Sequence, residues 1–252
     1  MIKQKYSTIN LKTMKRINTM NAMLPKQVHI SKLTGKLSGF QSVSNNTTTN
    51  KYCYDRYTQA KAKNEKAGKI VDICGVCYSQ SMLNGMRKSM KPALDRNEFL
   101  AERILNANEL PTILAAFHRF HAHGELLTEL INPETGETIK EFDRFTHIEN
   151  LCRIAEHNPH CNFALWTKRT DIIKPFFNQR KKPSNLILIY SNPKTNNILQ
   201  KVPQHFDRTF NNVEADKFTD KQNCTGQKCI NCMLCYKPNN GVETIVEKIK
   251  KY

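Results

Sequence analysis

Asn162-Phe-Ala-Leu-Trp-Thr167 and Leu186-Ile-Leu-Ile-Tyr190 decide the fold. Both are short, β-branched and aromatic, and both end in turn or polar residues. The second is apolar at five consecutive positions, as a strand covered on both faces requires. Between them, Asp171 to about Arg180 reads as a helix stopped by Pro183. Upstream, Ala115 to His121 reads as a further strand. A helix follows, started by Asp143 and closed by Asn158-Pro159, with Phe145, Ile148, Leu151, Cys152 and Ala155 on one stripe. The pattern is β-α-β-α-β with short connections, which predicts parallel strands joined by crossover helices. Asp207 to Val213 is a candidate additional strand, and Gly241 to Lys250 reads as a short amphipathic helix through Val242, Ile245, Val246 and Ile249.

Outward from this core the chain is polar and basic. Residues 1–36 are expected to form a basic N-terminal tail, and residues 37–252 a single α/β cysteine-cluster domain. Residues 37–50, a Ser/Asn/Thr run, read as a loop or edge strand, and Ala60 to Lys69 as a solvated helix or loop. The net charge is +17, and nine Lys/Arg precede the first acidic residue, Asp55. That field favours polyanions, so nucleic acid is an expected partner of the basic N-terminal region. No run approaches the roughly 18 apolar residues of a membrane span, and no apolar signal segment follows the N-terminus. A cytoplasmic protein with no membrane partner is expected.

Seven of the nine cysteines fall into two groups. Cys224, Cys229, Cys232 and Cys235 form C-x4-C-x2-C-x2-C, and Cys53 precedes Cys74-Gly-Val-Cys77. Four cysteines within twelve residues do not form two relaxed disulfides easily, whereas their thiolates can meet one soft metal centre. An odd total excludes complete internal pairing. All four ligands of the C-terminal group lie in one loop, as in iron–sulfur loops, while zinc sites usually use a second, distant knuckle. One or two iron–sulfur clusters of the 4Fe-4S type are therefore expected, with zinc as the alternative. Three cysteines on a cubane leave one iron open to substrate, which makes the first group a chemical site. Cys152 and Cys161 read as small core residues.

Parallel sheets present ligands at the C-terminal ends of their strands. There stand Arg119, His121, His123 and Glu125, with Gly124 allowing close approach, then Lys168, then Ser191 and Asn192. Arg119, His121 and His123 alternate with Phe120 and Ala122, so they share one face of the strand. His123 and Glu125 are the candidates for catalysis or proton transfer. Arg119, His121, Lys168, Ser191 and Asn192 are candidates for substrate binding.

Several blocks resemble, in order, the phage gene product 88 family. They are Ile73-Cys-Gly-Val-Cys-Tyr78, Leu94-Asp-Arg-Asn97, Phe117 through Glu125, Asn158-Pro159 with Phe163 through Lys168, Asn185 through Ser191, Asp207-Arg-Thr-Phe210, and Asn223 through Tyr236. The resemblance implies an α/β fold forming a partial β/α barrel, cysteine-bound iron–sulfur centres and a bacterial host cell. Its general shape is similar to radical S-adenosylmethionine enzymes, but twenty residues separate Cys53 from Cys74 where those enzymes have C-x3-C-x2-C. The leading expectation is an iron–sulfur protein performing redox or radical chemistry on a nucleotide, nucleic acid or small metabolite, with an electron donor as partner. The alternative is a zinc-stabilised nucleic-acid-binding module without catalysis.

Overall fold

The computed structural model describes residues 27–217 and 222–249. Most of the tail expected over residues 1–36 lies outside the described residues. From residue 27 onward the chain is part of the domain.

The main sheet has seven strands in the order β1-β2-β3-β6-β7-β8-β9. They are β1 (Ser31–Lys32), β2 (Gln41–Val43), β3 (Phe117–Phe120), β6 (Asn162–Thr167), β7 (Leu186–Thr195), β8 (Arg208–Val213) and β9 (Thr244–Lys248). A separate hairpin pairs β4 (Glu129–Ile131) with β5 (Thr138–Glu141). β1 runs antiparallel to β2, and every other pairing in the main sheet is parallel. Successive parallel strands are always added on the same side. The sheet stays open, with β1 and β9 as its two edges, so the strands do not close into a barrel.

The helices are α1 (Lys51–Ala67), α2 (Tyr78–Asn84), α3 (Lys91–Asp95), α4 (Phe99–Glu102), α5 (Thr146–His157), α6 (Thr170–Phe177) and the single turn α7 (Cys229–Cys232). α5 begins where Asp143 Oδ1 accepts from the amides of Phe145 and Thr146. It ends at Asn158, whose buried side chain accepts from Ile113 N and donates to the carbonyls of Pro111 and Ile154. Three backbone groups depend on that one amide.

Strand alternation divides the core. Phe163, Leu165, Leu186 and Leu188 face α5 and α6 in the larger cluster, which also holds Cys152 and Cys161 as expected. Each such side chain contributes about 1.5–3 kcal/mol by leaving water. Ala164, Trp166, Ile187 and Ile189 point to the opposite face, where Phe40, Met233 and Tyr236 cover them. The last two belong to the C-terminal cysteine loop, so that loop forms the roof of the sheet's second face.

Two expectations are corrected. Residues 244–248 form β9, not a helix: Ile245 and Val246 are buried beside β8, and the β8 register continues into them. Their apolar spacing fits a helix equally well, and the open edge of β8 decides. The segment 41–43 is β2, an interior strand, not an edge. The β4–β5 hairpin carries turn residues Asn132-Pro133 and Gly136, which the surrounding β-α periodicity obscures.

Glu98 gives a test of this packing. Burial, then the nearby Asp95 carboxylate, raises its pKa to about 7. A folded-state value above the unfolded one means the folded protein binds the extra proton between about pH 4.5 and 7. Its stabilising contribution is present below that window and is lost as pH rises through 7. Glu98→Gln is expected to be more stable than the parent by about 1 kcal/mol at pH 8, allowing for solvent screening, and equal to it at pH 4. Urea denaturation at the two pH values measures both.

Candidate functional site

The C-terminal ends of β3, β6 and β7 open into one cavity of about 530 Å³. Cys53, Cys74 and Cys77 line it, and so do Cys224, Cys229 and Cys235. Two groups separated by roughly 150 residues in sequence thus face a single space. Cys232 is not in the lining; its Sγ lies 3.3 Å from Gln227 Nε2. All nine cysteines are free thiols.

The first group is held by α1. Asn50 caps this helix by accepting from Cys53 N at 3.3 Å, which places Cys53 in its first turn. Asp72 accepts from Cys74 N at 3.0 Å and from Arg56 at 2.7 Å. Asn64 of α1 accepts from the amides of Val71 and Asp72. Between the cysteines, a Cβ on Gly75 would sit 2.8 Å from the Ala60 carbonyl, so only glycine lets the turn press against α1. Tyr78, next to Cys77, donates to Ala122 O and ties this group to the end of β3.

The second group hangs from β9. Cys224 N donates to Val246 O at 3.1 Å. Its Sγ lies 3.8 Å from Lys36 Nζ, and Lys36 pairs with Glu247. Met233 closes α7 in the left-handed conformation and turns its side chain into the roof.

Burial raises the thiol pKa values: Cys74 to about 11 and Cys235 to about 12, with Cys53 raised well above its ordinary value. Cations stand beside both groups. Lys168 and Arg56 act on Cys74, Lys36 on Cys224, and Arg119 on Cys235. Among the described residues, no three His, Cys, Asp or Glu side chains converge as a single ion needs. The expected metal-binding loops therefore contain no preformed mononuclear site. Free thiols flanked by cations are soft donors suited in kind to zinc or to an iron–sulfur centre.

The predicted strand-end residues divide clearly. Arg119, His121, His123, Glu125, Lys168 and Ser191 all line the cavity. Glu125 is buried; its carboxylate accepts from Thr167 Oγ1 at 2.6 Å and from Lys168 N at 2.9 Å. Burial raises its pKa, while Lys168 Nζ at 4.0 Å opposes that rise. Burial disfavours the Lys168 charge, yet Cys74 and Glu125 outweigh it and raise its pKa. Lys168 also donates to Ser191 Oγ at 3.2 Å. His123 Nδ1 lies 2.7 Å from Ser79 Oγ, and burial lowers its pKa to about 4. Asn192 is turned away: it bonds Asn197 O, Asn211 and Lys194 N, and it braces the irregular part of β7.

Sequence reasoning missed the cradle under this strand end. Ser42, Ser44 and Thr47 accept from the amides of Ala122, His123 and Gly124. Asn45 and Asn50 donate to Glu125 O. All five are buried at 3% exposure or less. It also missed Tyr52, Arg56, Arg87 and Tyr236 in the cavity wall.

The model of the family described as Gene product 88 matches residues 44–232. The chain belongs to the Gene product 88 family. The match spans 189 of the 252 residues and begins inside the polar cradle. It includes every strand-end residue named above and six of the seven clustered cysteines, leaving Cys235 just beyond its end. No curated protein and no solved structure matches this Gene product 88 chain. Among its described residues, no helix is long and apolar enough to cross a membrane.

Proposed function

We propose that this Gene product 88 protein is an iron–sulfur enzyme whose active site is the cavity between the two cysteine groups. One observation carries the reading: thiols from both groups line the same space as the polar ends of the parallel strands. Cys53, Cys74 and Cys77 would hold one centre, and Cys224, Cys229, Cys232 and Cys235 the other. Such centres supply one-electron redox chemistry.

The chain's own groups handle substrate and protons. His123 is neutral near pH 7 because of its burial, and Ser79 fixes its ring. It can donate or accept a hydrogen bond without changing charge. Glu125 holds a proton more tightly than an ordinary carboxylate and stays anchored to the end of β6. Lys168 links Glu125 to Ser191. These three place a movable proton at the strand ends. A redox or radical modification of a small substrate fits this arrangement, with an external electron donor. The basic N-terminal region, residues 1–36, is the proposed contact for nucleic acid, and its residues 1–26 lie outside the described residues.

Anaerobic purification tests the proposal. The expected result is a brown protein absorbing near ~400 nm with several irons and matching sulfide per chain. A colourless protein with stoichiometric zinc and salt-dependent DNA binding would support the zinc module and sink the iron–sulfur reading.

A further inference from the structure

The cavity carries more positive charge than its cysteines account for. Its lining includes seven Lys or Arg side chains and two carboxylates, Glu125 and Glu247. Both carboxylates are committed, Glu125 to Thr167 and Lys168 and Glu247 to Lys36. Oxidised clusters on both groups would add about −3, since three thiolates leave a cubane near −1 and four leave it near −2. The lining would still be positive by about 2.

Arg119 and Arg87 belong to this surplus. The Arg119 guanidinium lies 4.0 Å above the Trp166 ring, and its buried Nε has no hydrogen-bond partner. Arg87 enters the same wall from the exposed loop after α2. Among the described residues neither arginine has a carboxylate within ion-pair distance. Both act electrostatically on His123, and Arg119 also acts on His121.

His121 supplies the second observation. It is 4% exposed, it lines the cavity, and neither of its ring nitrogens has a partner. The other ring beside it is His147, 5.3 Å away between centroids, and His147 Nδ1 already accepts from Leu127 N. A buried donor and acceptor left unmade is costly, and such a group in a polar cavity points to a ligand. Two guanidinium forks and one imidazole N–H make a set of donors suited to the oxygens of a phosphate or carboxylate. The cavity volume lies within the range of small-molecule sites, about 300–1,000 Å³.

We propose that Arg87, Arg119 and His121 form an anion subsite, and that the substrate is a small molecule carrying a phosphate or carboxylate group. This inference takes the cavity to be the active site, as above, but does not depend on the metal that fills it.

Trp166 is the only tryptophan, and Arg119 stacked upon it makes its emission a local reporter. The full chain is titrated with inorganic phosphate and, separately, with acetate, at an ionic strength held constant with sodium chloride. Equilibrium dialysis of labelled phosphate or acetate measures binding directly. Saturable binding is expected in at least one titration: phosphate alone indicates a phosphoryl group, acetate alone a carboxylate. Arg87→Met and Arg119→Lys are expected to weaken it about tenfold or more. Arg103→Met, outside the cavity and paired with Glu109, is expected to leave it unchanged. Arg87 is exposed, so its variant keeps the fold and the test intact. No saturable binding of either anion, or equal binding by Arg87→Met and the parent, overturns the inference. Iron and zinc are measured on the same samples. Metal-free protein that binds the anion retires the metal reading alone, and metal-loaded protein that binds none retires the subsite alone.

Discussion

Gly124→Ala is expected to destabilise the fold by about 3–5 kcal/mol. Two effects act together. Gly124 has φ +80°, a conformation that costs a residue with a Cβ about 1–2 kcal/mol. The added carbon would also land on Asn45 Oδ1, with the Asn45 carbonyl oxygen only 2.8 Å away. Asn45 cannot withdraw freely, because it is 1% exposed and its side chain donates to Glu125 O at 2.7 Å. The urea midpoint should fall while the slope is unchanged. Gly226→Ala provides the contrast. Its φ is +90°, but a Cβ there meets nothing within 4 Å, so only the conformational cost of about 1–2 kcal/mol is expected. Adding Asn45→Gly to Gly124→Ala should recover part of the loss, and the double-mutant cycle reports the steric share. A loss below 1 kcal/mol for Gly124→Ala would contradict the packing described. Gly124 lies between His123 and Glu125, so the same substitution should disturb both candidate groups.

Cys74→Ser and Cys229→Ser are expected to remove different parts of the bound metal. Each group has its own scaffold: α1 and Asp72 hold the first, while β9, Lys36 and Glu247 hold the second. Serine is a hard oxygen donor that binds iron–sulfur centres poorly compared with thiolate. Each single variant should lose about half of the iron of the parent, and the double variant at least about 90% of it. Circular dichroism should show the fold retained in Cys74→Ser, because Asp72 still caps the turn through the backbone. Full iron retention in either single variant would remove that group from the metal-binding set.

Much of the fold was legible before any coordinates. The β6-α6-β7 unit announces itself because a strand buried on both faces must be apolar at consecutive positions, and Leu186–Ile189 are buried without exception. Asp143 and Asn158-Pro159 mark the ends of α5 through local hydrogen bonding, so local chemistry reveals them. The two cysteine groups are visible as spacing. Alternation predicts one strand face for Arg119, His121 and His123; all three line the cavity, although β3 ends at Phe120 and only Arg119 belongs to it. The left-handed His121, φ 58°, shows that regular strand geometry ends before the last of them.

Other features depend on distant partners. The Ser/Asn/Thr run from 42 to 50 has the composition of a surface loop, yet its side chains are buried because they satisfy the backbone of residues 122–125 some eighty positions away. A polar side chain is cheap to bury only when a partner awaits it, and no local pattern reveals that partner. Asn192 looks like a strand-end ligand but spends its amide on the β7 irregularity. β9 reads equally as helix until β8 offers it an edge.

Residue types and their intervals were enough to predict the parallel α/β core and to pick out the strand-end polar residues and the two cysteine groups. Only the folded chain could decide that both thiol groups share one cavity with Arg87 and Arg119, neither of which has a carboxylate within ion-pair distance among the described residues. Periodicity and spacing record what a residue does with near neighbours, whereas charge balance and the meeting of remote loops are properties of enclosed space.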